Sequence, residues 1–162
     1  MKAVNTVVDT LCKLIMGCSA LIVFVITFVQ VLCRFVFKSP LAWSTDILRL
    51  AFTYMVFWGA AWCVKEKGHL NVDVVLTSFP KQIRKTVELL INCILLVLFI
   101  FLIVQGGKFA QSGFSQTTSY LPVPMTFYYL SIPSAAVVMV FYMVQIIFQQ
   151  VKEFNNKEEH EA

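Results

Sequence analysis

Four long apolar runs dominate the chain: Leu14–Cys33, Ile47–Val64, Val87–Val104 and Phe127–Phe148. A hydrocarbon core about 30 Å thick is crossed by about 20 apolar residues in a helix, and each run is near that length. No water reaches that depth to satisfy backbone groups. A helix pairs its own N–H and C=O groups and is therefore the predicted form of every run. The first run is longer than a secretory apolar segment of about 7–15 residues. It also closes on Cys33-Arg34-Phe35 rather than on a small-residue cleavage site, so it is expected to persist as a helix. The predicted fold is an all-α integral membrane domain with helices near 14–37, 40–66, 80–105 and 124–148.

The polar breaks between the runs predict the connections. Ser39 suits an N-cap and Pro40 a first helical position, so the second helix is expected over Pro40–Glu66 with Gly68 as its stop. At 1.5 Å per residue that helix is roughly 40 Å long and should tilt or project. Beyond it, Val72, Val75, Leu76 and Phe79 follow helical spacing, although Leu70–Val74 also alternates as a strand does. An open strand edge is unfavourable against lipid, so a short interfacial helix near 70–79 is predicted, flanked by His69 and including Asp73. The segment from Gly106 to Pro124 reads as a long connecting loop. Pro133 lies inside the fourth helix, where it is expected to kink it by freeing the Tyr129 carbonyl. A charged tail, 149–162, is expected to fray.

Composition agrees with the pattern. Apolar residues make up 59% of the chain and charged residues 14%, against about 25% charged in a soluble domain. The net charge of +4 carries no nucleic-acid signal, because the basic residues sit at helix ends. Their distribution sets an orientation. Lys2, Lys13, Lys65, Lys67, Lys81, Arg84, Lys85, Lys152 and Lys157 fall on one side of the membrane; Arg34, Lys38 and Lys108 fall on the other, joined by Arg49 if it is counted. The positive-inside rule then places both termini in the cytoplasm. None of the five cysteines forms a C-x-x-C pair, and most read as small packing residues.

The polar residues within or beside the helices are Gln30, Asp46, Arg49, Glu88 and Asn92. Asp46 and Arg49, three apart on one helical face, are expected to form an ion pair near the outer membrane face. Glu88 fits the headgroup region beside Arg84 and Lys85, and Asn92 suits a hydrogen bond between helices. Trp43 fits the outer aromatic belt. Trp58 and Trp62 share one helical stripe that suits packing against another helix. No helix core contains a histidine to ligate a heme. No nucleophile–base pair, phosphate-binding loop or metal-ligand cluster is visible, so no cofactor and no catalysis are expected. Matched helix breaks of the kind that build transport sites are also missing. The residues alone point to a small membrane subunit or scaffold.

The order of certain short segments suggests more. Arg34-Phe35 is followed by Trp43-Ser44-Thr45-Asp46 and Arg49, then by Phe57-Trp58-Gly59-Ala60 and Gly68-His69-Leu70-Asn71-Val72-Asp73. Leu121-Pro122-Val123-Pro124 and Ile132-Pro133 come later. Together these resemble the small membrane subunit of tripartite ATP-independent periplasmic (TRAP) transporters, with Asp46 where that pattern leads one to expect glutamate. The resemblance covers nearly the whole chain. It implies a bacterial inner-membrane scaffold clasping a large sodium-coupled permease subunit, with a periplasmic binding protein delivering a dicarboxylate or sialic acid. On that basis Trp58, Trp62 and Asn92 are expected to pack on the large subunit. Lys38, Trp43, Lys108, Phe114 and Tyr120 are expected to meet the binding protein. The reading of another class is a membrane anchor for a peripheral redox enzyme. A small multidrug exporter is disfavoured, since Leu14–Cys33 has no acidic residue.

Overall fold

Each apolar run lies within a helix that outlasts it at one or both ends. The computed structural model describes residues 2–39, 41–66 and 81–161, with side chains over 5–39, 41–66 and 87–152. The helices are α1 (Lys2–Phe35), α2 (Ser44–Lys65), α3 (Lys81–Ser112) and α4 (Thr126–Glu161), with a 3-10 turn at Gly113–Ser115. All four are long and apolar enough to span a membrane, over Asn5–Phe35, Ser44–Lys65, Val87–Ser115 and Thr126–Lys152. No strand forms among the described residues beyond one antiparallel bridge, Thr117 with Pro124. The predicted interfacial helix near 70–79, with His69 and Asp73, lies outside the described residues.

Several ends differ from expectation for identifiable reasons. α1 starts at Lys2 rather than near residue 14, because polar side chains in its first turns find partners on other helices. At 34 residues it is about 51 Å long, well beyond the hydrocarbon core. α2 starts at Ser44 rather than Pro40. The Ser39 N–H closes back onto the Cys33 carbonyl at 3.1 Å, and Lys38 takes a left-handed conformation at φ 50°. That geometry turns the chain before a new helix can begin. α3 runs on to Ser112 instead of stopping near 105, which draws Gly106, Gly107 and Lys108 into helix. α4 is continuous through Pro133, and the hydroxyls of Ser131 and Ser134 donate to the Tyr128 and Ser131 carbonyls. It also extends to Glu161, so the tail expected to fray is helical.

The helices pack in series: α1 on α2, α2 on α4, and α4 on α3. Small residues allow close approach at the seams, as Ala61, Ala135 and Ala136 are essentially inaccessible. Gly106 marks the tightest point between α3 and α4. A β-carbon there would lie 3.0 Å from the Pro133 ring. Trp58, Phe99, Met139 and Tyr142 fill the core, joined by Cys12 from α1. The outward faces of α1 and α3 remain bare, with Phe24 at 72% and Val97 at 68% exposure.

Candidate functional site

Because the helices alternate in direction, the polar residues collect at two ends. At the end opposite the N-terminus, Asp46 sits in the first turn of α2 and is 5% exposed. An acid there ordinarily offers its oxygens to its own helix. Instead its Oδ2 accepts the backbone N–H groups of Tyr120 and Leu121, at 3.0 and 3.2 Å. The Tyr128 hydroxyl donates to the Asp46 carbonyl at 2.9 Å, and the Tyr54 hydroxyl to the Phe127 carbonyl at 3.1 Å. The segment between α3 and α4 is therefore folded against α2. Within it, the Met125 N–H donates to the Gln116 carbonyl at 2.9 Å and the Thr118 N–H to the Val123 carbonyl at 3.1 Å. The Thr118 hydroxyl caps the Leu121 carbonyl. Gly113 permits the closure, since a β-carbon there would lie 2.7 Å from the Thr126 nitrogen.

At the N-terminal end, Asp9 of α1 joins three helices. The Lys65 ammonium of α2 donates to its Oδ2 at 2.6 Å, and the Tyr142 hydroxyl of α4 to its Oδ1 at 2.7 Å. The Cys12 sulfur lies 3.9 Å from the same hydroxyl. Lys65 and Lys13 both stand over the Trp62 ring, at 4.3 and 4.7 Å from its centroid. Asn5 and Gln145 exchange two amide hydrogen bonds at 2.9 and 3.0 Å. Asn92 of α3 donates to Gln150 of α4 at 2.7 Å. In an apolar surrounding, such pairs satisfy groups that lipid would leave unpaired.

The predicted residues fall unevenly on this geometry. Asp46 and Arg49 do not form the expected ion pair. The carboxylate is turned inward to the loop amides, while Arg49 is exposed and makes no ion pair within 4.0 Å among the described residues. Trp58 and Asn92, expected to face a larger subunit, are 6% and 1% exposed and lie inside the chain's own packing. Trp62 is half-buried beneath two lysines. Lys38, Trp43, Lys108, Phe114 and Tyr120 all lie at the Asp46 end, and all five are exposed. Sequence reasoning missed Asn5, Asp9, Tyr142, Gln145 and Gln150, and treated Lys65 only as a topology marker. The available signal was a lone acid one turn before the first run and a lysine closing the second helix at the same membrane end. Among the described residues, no three His, Cys, Asp or Glu side chains are grouped to hold a metal.

The sequence carrying this architecture matches a known family. The profile of the family described as "Tripartite ATP-independent periplasmic transporters, DctQ component" matches residues 23–153. The chain belongs to the DctQ family. This DctQ chain is 28% identical over 123 residues to the sialic acid TRAP transporter small permease protein SiaQ of Vibrio cholerae, covering 76% of this chain and 71% of SiaQ. It is 26% identical over 103 residues to the C4-dicarboxylate TRAP transporter small permease protein DctQ of the same organism, covering 61% and 44%. It is also 25% identical over 123 residues to the sialic acid TRAP transporter permease protein SiaT of Haemophilus influenzae. That match spans 76% of this chain but 20% of SiaT. The DctQ chain is thus a multi-pass membrane component of a TRAP transporter, its small permease subunit. Its two described intrahelical aspartates, Asp9 and Asp46, are both engaged by donors of the same chain.

Proposed function

We propose that this chain is a rigid scaffold that holds a larger sodium-coupled permease subunit in the bacterial inner membrane. The larger subunit then carries the substrate and ion sites. The observation that carries the reading is the use of Asp9 and Asp46. A carrier keeps intramembrane acids available to cargo; here these two aspartates are spent on cross-links between helices and loop. The bare apolar faces of α1 and α3 provide the area for a neighbouring subunit or for lipid. The SiaT match supports the pairing, since a segment like this chain there occupies a fraction of a longer permease. The names of SiaQ and DctQ support an organic acid as cargo.

The excess of basic residues on the N-terminal side supports N-in, C-in topology, which puts the Asp46 end in the periplasm. There, Lys38 and Lys108 offer positive charge, while Trp43, Phe114 and Tyr120 offer exposed aromatic surface. That combination suits transient docking of a binding protein, with charge steering encounter and aromatics fixing the pose. The test is reconstitution of the larger permease in liposomes with and without this chain, with sodium and binding protein supplied. Uptake should require both membrane subunits. Full sodium-driven uptake by the larger subunit alone would refute the scaffold role.

A further inference from the structure

We propose that Asp46 is a positioning residue for binding-protein docking: its carboxylate fixes the loop that presents Tyr120. The inference deepens the docking reading above and rests on it. Its basis is an account of the loop's own hydrogen bonds. The turn between residues 116 and 125 satisfies the N–H groups of Thr118, Val123 and Met125 internally. It supplies no internal acceptor for those of Tyr120 and Leu121. Both find theirs in one buried oxygen of Asp46, a residue 74 and 75 positions away in the chain.

A connector between two helices needs only to span the gap. This one is held at its tip by the Asp46 carboxylate, while Gly113 at its base allows close approach to Thr126 and the Tyr128 hydroxyl ties the following helix to the Asp46 carbonyl. Yet Tyr120 on the held tip remains 61% exposed, and Phe114 before it 71%. Exposed aromatics on a fixed backbone lose little freedom when a partner arrives, which is the property of a preformed docking surface.

The decisive experiment uses the complex of this chain with the larger permease. Amide hydrogen exchange is measured over the loop for the parent, Asp46→Ala and Asp46→Asn. Uptake is then followed in liposomes against binding-protein concentration, with Tyr120→Ala alongside. Asp46→Ala should speed exchange across residues 117–123 and leave the middle of α4 protected, which separates release of the loop from loss of the fold. Asp46→Asn keeps one acceptor oxygen and should fall between. If release leaves the docking arrangement populated about 10–30% of the time, half-saturation rises about three- to tenfold with maximal uptake unchanged. Unchanged loop exchange in Asp46→Ala overturns the clamp. A shifted uptake curve for Tyr120→Ala but not for Asp46→Ala overturns the role of Asp46 and leaves the docking reading standing. If neither variant shifts the curve, the docking reading itself fails.

Discussion

Removing the negative charge of Asp9 should loosen three helices at once, and removing Lys65 as well should restore part of the loss. Asp9 accepts a 2.6 Å bond from Lys65 and a 2.7 Å bond from Tyr142, a residue 3% exposed. Hydrogen bonds to charged groups contribute about 1.5–3 kcal/mol each. Asp9→Asn keeps the shape but strands the Lys65 cation, so a loss of about 2–3 kcal/mol is expected. Lys65→Met strands the Asp9 anion with only a hydroxyl donor, and breaking a buried pair in this way costs about 3–5 kcal/mol. The pair is partly exposed, with side chains 32% and 22% accessible, which argues for the lower end. The double variant carries neither stranded charge. Its loss should fall below the sum of the single losses by about 1.5–3 kcal/mol. Reversible unfolding in mixed micelles, followed by circular dichroism and tryptophan emission, measures all four corners of the cycle. Additivity to within about 0.5 kcal/mol would refute the coupling.

Glycine replacements should separate by the space around each one. Gly113→Ala places a β-carbon against the Thr126 backbone and should cost about 1–3 kcal/mol, whereas Gly107→Ala meets nothing within 4 Å and should stabilise α3 by about 0.5–1 kcal/mol; thermal unfolding in detergent ranks them. Arg49→Ala should change stability by less than about 0.5 kcal/mol, and exchanging the two charges of Asp46 and Arg49 should not rescue Asp46→Ala, because the carboxylate serves loop amides; complex yield after purification reads both. Reporter fusions at Gln111 and Phe154 should report opposite sides of the membrane, and the same side for both would overturn the N-in, C-in topology.

The helices were legible because a bilayer imposes a length and a hydrogen-bonding rule that composition alone reveals. Their ends were not. Where α1 begins depends on Asn5 and Asp9 finding Gln145, Lys65 and Tyr142, and those partners lie on other helices. Setting the first run at Leu14 excluded the one acid that ties three helices together. Asp46 shows a different limit. Its neighbour at helical spacing, Arg49, was visible as a residue type, while its actual partners are backbone N–H groups that every residue except proline carries. The Trp58–Trp62 stripe was legible as a packing surface. Whether it met this chain or another was decided by the small alanines of α2 and α4, which bring Trp58 into the chain's own core. The aromatics near the far end were legible as residue types, but the loop carrying them reads as featureless unless its internal bonds are known.

The serial packing order has a consequence for synthesis. α3 rests chiefly on α4, and α4 is also what joins α3 to the α1–α2 pair. The ribosome delivers α4 last. At about 5–20 residues per second, α3 waits on the order of seconds in the bilayer before its principal partner emerges. During that interval the chain exists as an α1–α2 hairpin and a separate helix, with Asp46, Tyr54 and Asn92 lacking the partners that the far loop and α4 later supply. Each unpaired polar group in lipid is costly, so the chain stays destabilised, and open to the proteolysis that triages poorly folded chains, until the last helix arrives. Chains ending before α4 should be cleared rather than accumulate as partly folded subunits.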